Sequence, residues 1–245
     1  MTYKILIPVT TRPDLVKDKI SKLPNENLIL INNFNEKKVL DLCLQAKDQG
    51  SEVYSCPENY GIGASWNLGL KKVLEDKDDF IFLLSVSSEI KVEFDRIVDL
   101  VREAEIVKPR SIYYFANKVG RHFFVHTKRS IQLGGFYDEN YYPAYHEDTD
   151  YNYRSRFNGI DREVFSFNRS DLIGTYGYGL SKQESTSLFK YICSFQTFHN
   201  EYYARKWGGL GLDASYKTPY NDSSLDINFW EMENPNIPQT ILEKL

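Results

Sequence analysis

The sequence predicts an α/β domain built on a mainly parallel sheet. Short apolar runs bounded by turn residues alternate with segments of helical spacing through roughly the first hundred residues. These runs are continuously apolar, which is typical of strands that helices cover on both faces. Strands that alternate with helices form βαβ crossovers and therefore a parallel sheet. We expect a single domain, 1–215, whose mixed, mainly parallel sheet is flanked by helices, and a C-terminal extension, 216–245.

The first four strands and three helices follow one another without interruption. In chain order the predicted strands are YKILIPV, LILINN, SEVYSC and FIFLLSV, and the helices between them are LVKDKISKL, EKKVLDLCLQAKDQG and GASWNLGLKKVLEDK. The second helix ends at Gly50, because glycine accepts the left-handed conformation of a helix C-terminus. A further helix, EFDRIVDLVREA, follows the fourth strand.

The second half of the chain has a mixed pattern. SIYYFAN and RHFFVHT are strand-like and predict a short antiparallel element near residues 111–127. SKQESTSLFKYICSFQTFHNEYYARKWGG predicts one long amphipathic helix that ends at two glycines. The last thirty residues or so contain Pro219, Pro235 and Pro238 and predict an extended tail.

Composition and charge narrow the class of protein. The formal net charge is −4 and the pI is about 5.7, so no broad basic surface is expected for a nucleic acid polymer. The chain has three cysteines, Cys43, Cys56 and Cys193. Their odd number and the lack of a CxxC motif indicate reduced thiols. The apolar run at the N-terminus is too short for a secretory signal, and no stretch reaches the length of a membrane span. We expect a soluble, cytoplasmic protein and leave its oligomeric state open.

The candidate ligand site lies at the carboxyl ends of the parallel strands. In open α/β sheets ligands bind outside these strand ends, which places residues 10–12, 32–35 and 85–89 around one crevice. The segment NYGIGASWNLGL adds Gly61 and Gly63 ahead of a helix, where main-chain amides can approach a phosphate or a nucleotide ring. Taken alone, such a pair of glycines more often forms a plain strand-to-helix turn.

An acidic cluster precedes a short helix in YYPAYHEDTDYNYRSRFNG. Glu147, Asp148 and Asp150 fall within four positions. Carboxylates in a first turn interact favourably with the positive end of the helix dipole, so capping is one interpretation of the cluster. A catalytic base is the other interpretation, and the residues of this stretch alone leave both open.

In their order and spacing, these segments resemble the inverting glycosyltransferases of family 2, which have the GT-A fold. The resemblance is carried by PVTTRPD, LINNFNE, NYGIGASWNLG and GGFYDENYYPAYHEDTDYNYR, together with the helix end NEYYARKWGG. It spans roughly residues 4–207. It implies transfer of a sugar from a UDP- or dTDP-sugar donor to a hydroxyl group of a glycan acceptor.

The resemblance also implies roles for individual residues. Asp148 matches the general base, and Glu147 would hold the local geometry or contact the acceptor. The residues expected to contact the donor are Pro8, Thr10, Arg12, Asn32, Asn33, Gly61, Gly63, Trp66, Asn67, Ser85 and Ser87. Those expected to contact the acceptor are Gly135, Tyr145, His146 and Trp207.

The sequence departs from the family after the fourth strand. Family members usually carry an Asp-x-Asp pair that holds Mn²⁺ or Mg²⁺ against the diphosphate, whereas this chain has Ser85 and Ser87 at those positions. Hydroxyl groups are poor substitutes for carboxylates as ligands of hard cations. One alternative is a weakly held ion at Ser87, Glu89 and His199, and the other is compensation of the leaving-group charge by cations, with Arg121 and Lys206 as candidates.

Two further functional interpretations stay open from the sequence. The missing carboxylate pair motivates a non-catalytic carbohydrate- or nucleotide-binding protein on the same scaffold. A nucleotidyltransferase that makes the activated sugar is disfavoured, because the basic glycine-rich phosphate loop expected near the first strand is absent from the sequence.

Overall fold

The structure is a computed structural model, and it describes residues 2–33, 36–107, 111–117, 120–165, 173–175 and 186–238. The strands within this part of the chain are β1 (Tyr3–Val9), β2 (Leu28–Asn32), β3 (Glu52–Ser55), β4 (Phe80–Leu84), β5 (Ser88–Ile90), β6 (Ser111–Asn117), β7 (Gly120–Thr127), β8 (Asp161–Phe165) and β9 (Ile173–Thr175). The α-helices in the same ranges are α1 (Pro13–Lys22), α2 (Lys37–Asp48), α3 (Gly61–Glu75), α4 (Phe94–Val107), α5 (Lys128–Gly134), α6 (Glu147–Arg154), α7 (Thr186–Ser194) and α8 (Gln196–Trp207).

Seven of these strands form one mixed sheet in the order β3-β2-β1-β4-β7-β6-β8. Strands β1 to β4 pair in parallel, β7 runs antiparallel to both β4 and β6, and β8 is parallel to β6. Strands β5 and β9 form a separate antiparallel pair. The α/β class, the mainly parallel sheet and the antiparallel element near residues 111–127 are therefore confirmed.

The central strands are buried on both faces. Along β1, Ile5 and Ile7 point into a core cluster that includes residues of α1, α2 and α4, whereas Leu6 points into a second cluster with residues of α3 and α5. Successive side chains of a strand face opposite sides of the sheet, so each face needs its own apolar set. This two-sided burial explains why the sequence of these strands is continuously apolar.

Helix α3 packs very closely against the sheet. A Cβ atom added at Gly69 would lie 2.6 Å from side-chain carbons of both Leu6 and Ile81. The absence of a side chain there lets the helix lie against β1 and β4, and it fixes the position of the helix N-terminus at the edge where those strands end.

The long helix predicted over residues 181–209 is wrong in its described part. The chain forms two helices, α7 and α8, with a tight turn at Phe195, whose N–H donates to the carbonyl of Ile192 three residues earlier (3.2 Å). Phe195 is buried in a cluster with Tyr142 and Ile237. Residues 181–185 lie outside the described part of the chain.

The described part of the C-terminal segment, up to residue 238, lies against the domain. Its contacts with Asn140 and Arg154 join it to the loop and the helix that carry the acidic cluster. The domain boundary at residue 215 stays a prediction. Across the described ranges, no helix combines the length and the apolar character needed to cross a membrane.

Candidate active site

The first part of the candidate site lies where β1 and β2 end. The main-chain N–H of Asn33 donates to the carbonyl of Val9 (2.8 Å), and its Nδ2 donates to Oγ of Ser65 (2.8 Å). Oγ of Ser65 in turn donates to the carbonyl of Gly61 (2.7 Å). Asn33 is buried, and its Oδ1 has no hydrogen-bond partner within the described part of the chain. The strand ends and the first turn of α3 thus form one connected unit with one unused acceptor.

Gly61 and Gly63, two of the predicted donor-site residues, lie where α3 packs against the segment that carries Glu147. Gly61 has a φ of +80°, and a Cβ atom there would lie 2.9 Å from the carbonyl oxygen of Pro143. The same carbonyl accepts a hydrogen bond from the N–H of Ile62 (3.0 Å). A Cβ atom added at Gly63 would lie 3.9 Å from Cβ of Glu147. The glycine turn therefore packs directly beside Glu147, one of the two residues that the resemblance implicates in catalysis.

The backbone takes an unusual conformation just before α6. Tyr145 and His146 have φ values of 77° and 75°, in the left-handed region that non-glycine residues seldom adopt. Such conformations cost about 1–3 kcal/mol each and concentrate at functional sites. Tyr145 is 43% exposed, so this turn presents an aromatic ring to solvent directly ahead of Glu147.

Glu147 and Asp148 have different environments although they are adjacent. Glu147 is only 5% exposed, and its Oε2 lacks a hydrogen-bond partner among the described residues. Burial, together with the charge of Asp148, raises the pKa of Glu147 well above its ordinary range. Asp148 is partly exposed, and its Oδ1 accepts from Oγ1 of Thr149 (3.3 Å). A buried carboxyl group beside a more exposed one is an arrangement in which two carboxyl groups take different roles.

Asp150 does not act as a capping residue, so this part of the capping interpretation is wrong. Its side chain is fully buried, and its Oδ2 accepts from Nζ of Lys206 (2.8 Å) and Nε1 of Trp207 (2.8 Å). Its Oδ1 lies 3.2 Å from Nε of Arg154. Although burial alone would raise the pKa of Asp150, Lys206 and Arg154 lower it below its ordinary value.

Asp150 belongs to a buried group of four charges, which we call the charge cluster: Asp138, Asp150, Arg154 and Lys206. Nζ of Lys206 lies 2.7 Å from Oδ2 of Asp138 as well as close to Asp150. All four residues have exposed fractions of 0%. Lys206 is therefore placed to neutralise two carboxylates in the interior rather than a leaving group in a crevice. The side chain of Arg121, the other predicted cation, lies outside the described residues.

Three of the residues expected to contact ligands point into the interior. Asn67 donates to the carbonyl of Tyr137 and to Oε1 of Glu139 (both 2.8 Å), and its Oδ1 accepts from the N–H of Tyr137 (2.7 Å). Trp66 is buried with its ring centroid 5.0 Å from that of Tyr137. Trp207 is fully buried at the charge cluster. In this structure these side chains support the loop ahead of α6 and offer no surface to a ligand.

Each of the predicted metal ligands Ser87, Glu89 and His199 has a partner elsewhere in the protein. Oγ atoms of Ser85 and Ser87 lie 2.8 Å apart and bond to each other, and Glu89 is 3.8 Å from Lys91. His199 is buried, which lowers its pKa to about 4, and its Nε2 donates to the carbonyl of Tyr142 (2.9 Å). Among the residues that the structure describes, no group of three or more His, Cys, Asp or Glu side chains could hold a metal ion. This donor set does not suit a hard divalent cation.

The other predicted residues lie along the same strand ends or loops. Pro8 is in β1, and Thr10 follows that strand. Arg12 is at the start of α1 and is paired with Asp14 (2.6 Å), and Asn32 is buried at the end of β2. Gly135 has a φ of +67° and packs against Asn228, while His146 directly precedes α6, with its ring centroid 5.9 Å from that of Tyr141.

Sequence reasoning missed Asp138, Asn140 and Asn234 as parts of this region. Asp138 and Asn140 stand within the quoted GGFYDEN element, but their partners are more than sixty positions away in the chain. Nothing local to the sequence marks Asn234. Long-range polar contacts of this kind have no periodicity that a single sequence reveals.

Comparisons with known proteins support the fold. No family model matches the chain, and no curated protein matches it either. Among solved structures, S. aureus TarS 1–349 in complex with UDP is similar with a TM-score of 0.51 and 12% identity, over 68% of this chain and 58% of that chain. GalNAc-T7 with UDP, GalNAc and Mn²⁺ is similar with a TM-score of 0.50 and 11% identity, over 88% of this chain and 53% of that chain. This chain thus spans little more than half the length of these structures, and it has the GT-A fold that the motifs predicted.

Proposed function

We propose that this protein is an inverting glycosyltransferase that moves a sugar from a nucleotide diphosphate sugar to a hydroxyl group of a glycan. The observation that carries the proposal is the carboxyl pair at the start of α6, of which Glu147 packs against the glycine turn of α3. That turn is bonded to Asn33 and so to the strand ends where ligands bind in this type of fold. The fold shared with UDP-bound structures is consistent with such a donor.

Asp148 is the proposed general base. Its partly exposed carboxylate takes the proton of the acceptor hydroxyl as that oxygen attacks the anomeric carbon of the donor sugar. A new glycosidic C–O bond forms while the bond from the anomeric carbon to the diphosphate oxygen breaks, and the nucleoside diphosphate leaves with the bonding electrons. Because the displacement is direct and takes place from the opposite face, the configuration at the anomeric carbon inverts.

Glu147 is the proposed partner of the base. Its raised pKa favours the protonated form, and a protonated carboxyl group can donate a hydrogen bond without adding a second negative charge beside Asp148. Its buried Oε2 has no hydrogen-bond partner among the described residues, so one hydrogen-bonding position of this carboxyl group is unused. We propose that Glu147 contacts a sugar hydroxyl of the acceptor, with the exposed ring of Tyr145 and the neighbouring His146 beside it, and that Gly135 contributes to the same acceptor site.

The donor is proposed to be a UDP- or dTDP-sugar. The unused Oδ1 of Asn33 is a buried acceptor that suits an N–H or O–H group of the nucleoside. Arg12, Asn32, Gly61 and Gly63 complete the proposed donor site at the same strand ends. Because Ser85 and Ser87 lack charged oxygens, we assign no step to a divalent cation.

The test begins with a thermal-shift screen against UDP- and dTDP-sugars, since a ligand at a hundredfold its Kd stabilises the native state by about 2.7 kcal/mol. The donor found is then used to measure release of nucleoside diphosphate with glycan acceptors. We expect Asp148→Asn to bind the donor normally and to lose roughly 10²–10⁴ in rate. Near-normal turnover in this variant would refute the assignment of the base.

Asp95→Asn is the matched control. Asp95 is an exposed aspartate in the first turn of α4, so its replacement removes the same charge from a helix N-terminus. We expect this variant to keep the wild-type rate, with a loss of stability of about 1 kcal/mol or less. Asp150→Asn is unsuitable as a control, because it would leave Lys206 and Arg154 with one buried carboxylate between them.

The alternative is a non-catalytic carbohydrate- or nucleotide-binding protein on the same scaffold. It is favoured by the mutually bonded hydroxyl groups of Ser85 and Ser87, which stand where the resemblance implies carboxylates. The same experiment separates the two functions. Stabilisation of the wild type by a nucleotide-sugar with no release of nucleoside diphosphate in the presence of acceptors would support the binding protein.

A further inference from the structure

The C-terminal segment is bonded to the loop ahead of α6 through two buried asparagines. Oδ1 of Asn140 accepts from the main-chain N–H groups of Glu233 (2.6 Å) and Asn234 (3.0 Å). In the opposite direction, Nδ2 of Asn234 donates to the carbonyls of Asn140 (3.0 Å) and Tyr142 (3.2 Å). Each amide therefore binds the main chain of the other segment. We call Asn140 and Asn234 the amide clamp.

A continuous series of buried polar contacts leads from the amide clamp to α6. Both the main-chain N and Nδ2 of Asn140 lie 3.0 Å from Oδ1 of Asp138. Oδ2 of Asp138 accepts from Lys206 (2.7 Å), and Lys206 is 2.8 Å from Oδ2 of Asp150. Asp150 lies two residues after Asp148 on the same helix. A shift of the loop at the clamp would therefore be transmitted to the start of α6.

The same C-terminal segment also contacts the far end of α6. Oδ1 of Asn228 accepts from Nη1 of Arg154 (2.6 Å), and the ring centroid of Trp230 is 5.5 Å from Cζ of Arg154. Arg154 is the last residue of α6. The segment thus fixes this helix at its C-terminus directly and at its N-terminus through the clamp.

We propose that the amide clamp positions the carboxylate of Asp148, so that the C-terminal segment is a working part of the catalytic site. This inference rests on the proposed glycosyltransferase function. Asn140 and Asn234 are positioning residues, since they act on Asp148 through Asp138, Lys206 and the backbone of α6. Displacement of a reacting group by about 1 Å can cost roughly a hundredfold in rate, so a small movement at the clamp is sufficient.

The test compares Asn234→Ala with Asn236→Ala. The first substitution removes both hydrogen bonds that Nδ2 of Asn234 donates. Asn236 is exposed, and within the described part of the chain its side chain bonds to Oδ1 of Asn234 (3.3 Å). Asn234→Asp is made as well, because it keeps the size and the acceptor and replaces the donor group with a second oxygen that faces the two carbonyl groups. We expect both Asn234 variants to lose roughly tenfold to a hundredfold in kcat, while the Kd for UDP changes less than about twofold. Asn236→Ala should match the wild type in both quantities.

Hydrogen–deuterium exchange tests the coupling without an activity. In the Asn234 variants the main-chain amides of residues 144–154 should exchange faster, while those of α2 (Lys37–Asp48) should be unchanged. A folded Asn234 variant with wild-type kcat, or with unchanged exchange over 144–154, would overturn the inference. If the wild type itself fails to release nucleoside diphosphate, the proposed function is refuted. In that case the exchange data alone show whether the amide clamp holds α6 in position.

Discussion

Replacement of Lys206 by methionine tests whether the charge cluster holds helix α6 in place. The ammonium group of Lys206 is fully buried, 2.7 Å from Oδ2 of Asp138 and 2.8 Å from Oδ2 of Asp150. Methionine keeps most of the volume and removes the charge, which leaves two buried carboxylates with the single cation of Arg154. Breaking a buried ion pair by removal of one partner costs about 3–5 kcal/mol, because the remaining charge is desolvated and unpaired.

The expected loss can be measured by thermal unfolding. For a domain of this size, each kcal/mol lowers Tm by about 2–4 °C, so Lys206→Met should lower Tm by about 6–20 °C. Lys37→Met is the control, because Lys37 is 85% exposed and forms a surface pair with Asp41 at 2.8 Å. Such a pair contributes only about 0.3–0.5 kcal/mol.

A double variant separates charge balance from simple loss of packing. Asp138→Asn with Lys206→Met removes one charge of each sign and leaves Asp150 with Arg154, which lie 3.2 Å apart. We expect the loss of unfolding free energy in this double variant to be smaller than the sum of the losses in the two single variants by about 1 kcal/mol or more. A loss below about 1 kcal/mol in Lys206→Met, or strict additivity in the cycle, would refute our reasoning about the cluster.

Three further predictions concern the glycine turn, a buried histidine and the metal. Gly61→Ala should lower the free energy of unfolding, measured in urea, by about 1–3 kcal/mol, since its φ is +80° and the new Cβ would lie 2.9 Å from the carbonyl oxygen of Pro143. Gly63→Ala should leave this free energy unchanged or raise it. Burial of His126 lowers its pKa to about 3, so the folded state resists protonation; its contribution to stability is full above pH 6.5 and falls as the pH drops towards 3. The wild type should lose roughly 3 kcal/mol more than His126→Gln between pH 7 and pH 4 in urea titrations, and parallel curves would contradict this. Addition of a chelator should raise the Kd for UDP, measured by calorimetry, less than about tenfold, because residues 85–87 offer hydroxyl groups in place of carboxylates. Tight Mn²⁺ binding would show that the protein has a metal site at other residues.

Strands β1 to β4, β6 and β7, the helices between the first four strands and the fold class were accessible from the sequence because they depend on local patterns, whereas β5, β8 and β9 were not predicted. The continuous apolar runs of β1, β2 and β4 reflect burial on both faces of one sheet, and each run carries that information within a few residues. The order of the motifs added the GT-A fold. It also placed Glu147 and Asp148 at the start of a helix, where they lie in the structure.

The partners of the polar side chains were decided only by the tertiary structure. Asp150 resembles a capping residue in the sequence, yet it is buried against Lys206 and Trp207, more than fifty positions away. The long helix predicted over residues 181–209 is divided at Phe195 in its described part, and the ring of Phe195 packs against residues from two other segments. Hydrophobic periodicity records which face of an element is covered, since every turn or pleat repeats it. It does not record which distant group forms a hydrogen bond or ion pair with a buried amide or charge. Each such contact occurs at a single position and is made by the close packing of segments that meet only when the chain folds.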